Sequence, residues 1–110
     1  MPAQRMGVDA KTFQTFASLF LIGRERKGPL RWDEFEKAMS DVGFVCKAGK
    51  SGASVDFIPV SAPVSGTFSC HKPHSKRKGR PMLDKKGKKL LSKALYEVYE
   101  WDRDTFVLRE

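Results

Sequence analysis

The chain lacks long apolar runs, has few cysteines and contains no recognised catalytic motif. Its longest apolar stretch, residues 19–22, is four residues long, whereas a membrane-spanning helix needs about 20. The two cysteines, Cys46 and Cys70, are too few for a disulfide-stapled scaffold and are expected to be buried free thiols. There is no nucleophile elbow, phosphate-binding glycine loop or paired-carboxylate pattern. Because no secretory signal is visible either, we expect an intracellular protein, cytoplasmic or nuclear, that does not insert into membranes.

Acidic residues are almost missing from residues 72–89, which we call the basic strip. The basic strip has nine basic residues against one acid, Asp84, which gives it a net charge of +8. The whole chain of 110 residues has 21 basic and 13 acidic residues, so everything outside the strip is neutral in sum. The nine cations are Lys72, Lys76, Arg77, Lys78, Arg80, Lys85, Lys86, Lys88 and Lys89. A neutral domain with one strip of concentrated positive charge is typical of proteins that bind polyanions.

Hydrophobic periodicity predicts an α+β fold, in which a three-stranded antiparallel sheet packs on helices in the order α-α-β-β-β-α. The predicted elements are helices at residues 9–22, 32–42 and 85–101 and strands at residues 44–48, 54–60 and 67–71. Asp9 and Asp84 are suited to cap the first and last helices, and Pro59 assigns the middle strand to a sheet edge or a strand end. The last helix is expected to bury a stripe formed by Leu90, Leu91, Ala94, Leu95, Val98 and Trp101. We expect residues 1–8 to be a flexible leader, 9–101 a single domain, and 102–110 a tail that frays or adds a short strand.

The lysines at the start of the last helix oppose the helix dipole. Cations there cost roughly 0.3–1 kcal/mol each at low salt. A bound phosphate removes this cost and also accepts hydrogen bonds from the free backbone N–H groups. Contacts to phosphates give affinity without reading bases, so we predict salt-sensitive, sequence-tolerant binding of nucleic acid without a cofactor. The predicted contacts are Lys76, Arg77, Lys78, Arg80, Lys85, Lys86, Lys88 and Lys89, with His74 as an adjunct.

The basic strip and its surroundings also fit other functions. A charge run is often only a solvated surface, and residues 76–89 are similar to a nuclear-import signal. His71 and His74 are candidates for phosphate contacts or for general acid–base chemistry in RNA cleavage. Together with the two cysteines they would make four zinc ligands, but their spacing matches no common zinc finger, so no metal is expected. The leading helix or an edge strand at residues 54–60 is a candidate surface for a protein partner.

Residues 30–101 resemble the double-stranded-RNA-binding domain, whose elements run helix, three strands, helix. The last helix of that family begins with lysines followed by small and apolar residues. The corresponding segment here is Lys85-Lys86-Gly87-Lys88-Lys89-Leu90-Leu91-Ser92-Lys93-Ala94-Leu95. The resemblance implies that Lys85, Lys86 and Lys89 contact phosphates across a groove of A-form RNA.

A closer resemblance is to the HicA-like (YcfA) group, a small variant of the same fold found in bacterial toxin–antitoxin ribonucleases and in fungal relatives. The shared motifs are Trp32-Asp33-Glu34-Phe35 leading to Gly43-Phe44, then Lys50-Ser51-Gly52-Ala53-Ser54, then His71-Lys72-Pro73-His74. The HicA toxins have their catalytic histidine just after the Gly-Ser turn, and residues 52–56 of this chain contain no histidine. We therefore expect an RNA-binding module, with duplex RNA as the favoured ligand, and do not expect catalysis. The alternative is a ribonuclease that uses His71 or His74.

Overall fold

Three helices and a three-stranded antiparallel sheet form the framework of the computed structural model, and they confirm the predicted α+β class. The structure describes residues 5–22, 28–49, 54–73 and 81–109. Within these ranges the helices are α1 (Ala10–Leu19), α2 (Trp32–Asp41) and α3 (Lys85–Tyr99). The strands are β1 (Met6–Val8), β2 (Leu30–Arg31), β3 (Phe44–Ala48), β4 (Ser54–Pro59), β5 (Phe68–His71), β6 (Met82–Leu83) and β7 (Phe106–Leu108). No helix of the described ranges is both long and apolar enough to cross a bilayer.

The main sheet has the order β3-β4-β5, with β4 in the centre. Of the two alternatives predicted from Pro59, the sheet edge is therefore wrong and the strand end is confirmed. Pro59 is the last residue of β4, opposite Phe44, and a strand end tolerates the missing N–H of proline. The cross-strand register places Cys46, Phe57 and Phe68 in one row. Phe57 and Phe68 are buried, so this face of the sheet is the one that packs in the core.

Aromatic side chains join the helices to the sheet. The Phe35 ring of α2 lies 5.3 Å from the rings of both Trp32 and Phe57, measured between centroids. In α1, the Phe16 ring stacks on Phe106 at 3.7 Å with an interplanar angle of 3°. Both Phe16 and Phe106 are buried. The leading helix, which lies outside both family resemblances, is thus part of the hydrophobic core.

The two ends of the chain meet in a small parallel ladder. Met6 in β1 is paired with Phe106 in β7, and Val8 is paired with Leu108. These strands lie within the segments expected to be a leader and a tail. Burial of the Phe106 ring against α1 supplies the apolar contact that holds the C-terminal segment, and the ladder then orders β1 beside it.

A second small ladder fixes the entry to α3. Leu83 in β6 is paired with Leu30 in β2, and the Trp32 N–H donates to the Pro81 carbonyl at 3.0 Å. These contacts place the beginning of α3 beside the beginning of α2. The Asp84 carboxylate accepts the Gly87 N–H at 2.8 Å, so the predicted N-cap is confirmed.

The buried face of α3 is rotated relative to the predicted stripe. Leu91 and Leu95 are buried as expected, but Leu90 and Val98 are 61% and 48% exposed. Lys88, one turn before Leu91, is fully buried in their place. Apolar periodicity cannot find this position, because lysine counts as polar although its long stem packs like an aliphatic side chain.

Candidate nucleic-acid interface

The first turns of α3 present lysines to solvent. Lys85, Lys86 and Lys89 are exposed, as is Lys93 one turn further along. With 3.6 residues per turn, these four side chains lie within an arc of about 100° around the helix. We call this group the lysine face. Lys93 is not among the predicted contacts. Its spacing marks it as a member of the same face, because Lys93 follows Lys89 by four residues, as Lys89 follows Lys85.

Acidic residues do not balance the lysine face. The first turn of α3 has no acid, and the Asp84 carboxylate is occupied as the helix cap. None of the four ammonium groups of the lysine face forms an ion pair with a residue in the described parts of the chain. Lysines one turn apart repel each other at a distance of roughly 5–6 Å between Cβ atoms. The face therefore attracts an anion that can lie between several of its side chains.

Lys88 belongs to the same run of lysines but has a different environment. Its Nζ donates to the Gly28 carbonyl at 2.8 Å and to the Ser18 hydroxyl at 3.2 Å. Burial, and secondarily the nearby charge of Lys85, lowers the pKa of Lys88. The structure therefore places this predicted phosphate contact inside the molecule, where it links α3 to α1.

Five of the predicted contacts lie outside the described residues: His74, Lys76, Arg77, Lys78 and Arg80. The segment that contains them follows Pro73 and ends at Pro81, whose carbonyl is bonded to the start of α2. In sequence, Arg80 is five residues from Lys85.

His71 lies on the solvent face of the sheet. It is the last residue of β5, it is exposed, and its register partner on β4 is Ser54. Two residues earlier on the same face, the Ser69 hydroxyl donates to the Asp56 carboxylate at 2.6 Å, and Lys47 is the partner of Asp56 on β3. An imidazole, a carboxylate, a hydroxyl and an ammonium group therefore share one exposed surface.

The candidate zinc ligands do not converge in the described part of the chain. Successive residues of a strand face opposite sides, so Cys70 and His71 point to opposite faces of the sheet. Both cysteines are free, and β4 separates Cys46 from Cys70. Burial raises the pKa of Cys46 to about 11 and that of Cys70 to about 12, with the Glu36 carboxylate as a smaller cause. No group of three or more potential ligands is close enough to hold a metal within the described ranges.

Comparison of the chain with protein-family models, with curated proteins and with solved structures finds no match. The resemblances to the double-stranded-RNA-binding domain and to the HicA-like group remain predictions from the sequence motifs.

Proposed function

We propose that this protein is an RNA-binding module that holds the phosphates of duplex RNA. The contacts proposed are Lys85, Lys86 and Lys89 at the beginning of α3, joined by Lys76, Arg77, Lys78 and Arg80 and by His74 from the preceding segment. The single observation that carries the proposal is the exposed lysine face at a helix N-terminus whose first turn has no acid. Lys88 is left out of the contact set because its ammonium group is bonded inside the molecule.

Two further features favour phosphate contacts over base reading. Cations in the first turn of a helix destabilise it, whereas an anion bound there is favoured by the dipole and by the backbone N–H groups. The aromatic residues of the sheet, Phe44, Phe57 and Phe68, are buried, so the sheet does not offer them as an open stacking surface for single-stranded bases. Both features are consistent with recognition of the shape and charge of a duplex.

The test is fluorescence anisotropy with a labelled RNA duplex of about 20 base pairs, long enough for the roughly 16 base pairs that such domains span. Duplex DNA and single-stranded RNA of equal length are measured alongside, each over a salt series. The proposal expects the tightest binding to the RNA duplex, with a steep dependence on salt. Equal weak binding to all three nucleic acids would reduce the lysine face to an unspecific cationic patch.

A triple variant with Lys85→Ala, Lys86→Ala and Lys89→Ala tests the contacts. Loss of three phosphate contacts should lower the slope of log K against log salt by about three. The matched control replaces Lys11, Lys37 and Lys47, which are also exposed but lie on α1, α2 and β3. If both triple variants bind with the same affinity, net charge accounts for the binding and the proposed interface is incorrect.

A ribonuclease is the second candidate function, and one observation favours it. His71 is directly opposite Ser54. Ser54 lies just after the Gly-Ser turn, where the HicA toxins that this chain resembles carry their catalytic histidine. His71 shares its face of the sheet with the hydrogen-bonded Asp56 and Ser69. Incubation of RNA with the wild type and with a His71→Ala, His74→Ala double variant separates the candidates. Cleavage by the wild type alone would establish an enzyme, and intact RNA in both samples would leave the binding module.

A further inference from the structure

The lysine face leads along α3 to an open pocket. The pocket has a volume of about 330 Å³. Its wall contains the aromatic side chains of Phe20, Tyr96 and Trp101, and the basic residues Lys93 and Arg103 also line it. Lys93 belongs both to the lysine face and to the pocket, so the two surfaces are continuous.

The aromatic wall has one accessible ring. Tyr96 is 53% exposed, whereas Trp101 is 1% exposed. The indole Nε1–H of Trp101 is buried, so the ligand contact falls on the Tyr96 ring. The carboxylate of Asp102, which also lines the pocket, accepts the Asp104 N–H at 2.9 Å. A flat ligand that lies beside a negative charge matches this combination of an open ring and two cations.

The lysine face and the pocket follow one another along a short length of α3. Tyr96 comes eleven positions after Lys85, which corresponds to about 16 Å at the helical rise of 1.5 Å per residue. A strand whose phosphates follow the lysine face therefore reaches the pocket within a few nucleotides.

We propose that this pocket binds an unpaired nucleobase of the RNA strand whose phosphates follow the lysine face. The base stacks on Tyr96, and Lys93 and Arg103 contact the phosphates on either side of it. This inference rests on the proposed function and adds a preferred ligand to it, namely a duplex that continues into a single-stranded overhang. Stacking of one base on an aromatic side chain changes affinity by about fivefold or more.

The experiment compares a blunt RNA duplex with the same duplex carrying an overhang of six nucleotides. The wild type should bind the overhang form at least about fivefold more tightly. Tyr96→Ala should remove this advantage and leave the affinity for the blunt duplex unchanged, while Tyr96→Phe should keep it. Tyr96 is exposed, so neither substitution disturbs the core. An overhang advantage that is absent in the wild type, or that persists in Tyr96→Ala, overturns the inference.

A second measurement separates failure of the pocket from failure of the proposed function. Titration with adenosine monophosphate is followed by the NMR signals of the two indole N–H groups. The signal of Trp101 should shift, and that of Trp32, which does not line the pocket, should remain in place. Equal shifts of both signals, or none, refute the pocket whatever the affinity for duplexes. If the pocket is refuted in this way but the Lys85, Lys86, Lys89 triple variant still loses duplex binding, the proposed function holds without the pocket.

Discussion

Replacement of Lys88 by alanine should destabilise this protein far more than replacement of any neighbouring lysine. The Lys88 side chain is 0% exposed, and its Nζ donates to the Gly28 carbonyl and the Ser18 hydroxyl. Truncation to alanine removes these bonds from an ammonium group and leaves a cavity where the aliphatic stem was packed. By contrast, Lys85 is exposed and starts the helix, so its truncation removes no packed atoms.

The magnitude follows from these two losses. A hydrogen bond to a charged group contributes about 1.5–3 kcal/mol, and a buried acceptor left without a donor costs about 1–3 kcal/mol. Truncation of a large buried side chain costs about 2–5 kcal/mol through the cavity. The contributions overlap, so we expect Lys88→Ala to lower the free energy of unfolding by about 3–5 kcal/mol. Lys88→Met fills the cavity without restoring the bonds and should cost about 1–3 kcal/mol.

Urea unfolding followed by tryptophan fluorescence measures these differences, with Lys85→Ala as the matched control. In a domain of this size, 1 kcal/mol shifts Tm by roughly 4 °C, so Lys88→Ala should lower Tm by about 10–20 °C. A loss for Lys88→Ala within about 0.5 kcal/mol of that for Lys85→Ala, which is the usual range for surface substitutions, would refute the internal role of Lys88. An Ala variant no more destabilised than Lys88→Met would show that the stem does not fill the core.

Further predictions test the packing of glycine, cysteine and phenylalanine residues in the fold. Gly43→Ala should lower the free energy of unfolding by more than about 2 kcal/mol, because a Cβ atom at this positive φ collides with the backbone of residues 61 and 62. Gly66 is also at positive φ but faces open space, so Gly66→Ala should cost less in the same urea titration. Alkylation of Cys46 by iodoacetamide at pH 8 should be about a hundredfold slower than that of a thiol of pKa 9, with Cys70 slower still, since their raised pKa values keep both thiols protonated. Because the pKa values of both thiols are higher in the folded than in the unfolded state, their protonated forms add to the free energy of unfolding below pH 9. This contribution is lost as the pH rises towards 11 and beyond. A double Cys→Ala variant whose stability keeps the same pH dependence would contradict this. Phe106→Ala should cost about 3–5 kcal/mol by thermal unfolding, and an unchanged Tm would contradict its stacked position in the core.

Local chemistry made part of the fold predictable from the sequence. The caps at Asp9 and Asp84 depend only on residues within one turn, and the Thr12 N–H and the Gly87 N–H are bonded to them as expected. The strands were likewise predictable, because alternation of apolar residues reports which side of the sheet is buried. Phe57, a residue of that alternating pattern, is 0% exposed.

Contacts between distant segments were not predictable in this way. The pairing of Met6 with Phe106 joins opposite ends of the chain, and no local pattern marks either residue for the other. The central position of β4 depends on how β5 returns to the sheet, whereas Pro59 carries information only about its own backbone. Lys88 was misassigned to the surface for a related reason, since its partners Ser18 and Gly28 lie far from it in sequence.

The candidate site likewise has a part that is predictable from local sequence and a part that is not. The exposure of Lys85, Lys86 and Lys89 agrees with the sequence analysis, because a charged run at the start of an amphipathic helix places most of its members outside. Lys93 and the pocket beside it were not predicted, since the pocket combines residues from α1, α3 and the segment after α3. The position of a single lysine on the helix thus decides whether its side chain is buried in the fold or exposed to solvent.

Stability and affinity should therefore respond in opposite directions within one run of lysines. The exposed lysines at the start of α3 oppose the dipole, so the Lys85, Lys86, Lys89 triple alanine variant should be more stable than the wild type by about 0.5–2 kcal/mol while binding RNA more weakly. Lys88→Met should instead lose stability and, under conditions where it is fully folded, retain its affinity and salt slope. Urea unfolding and anisotropy on both variants measure the four quantities. If the triple variant loses both stability and affinity, the exposed lysines stabilise the fold. Their unfavourable interaction with the helix dipole would then not be explained by a bound ligand.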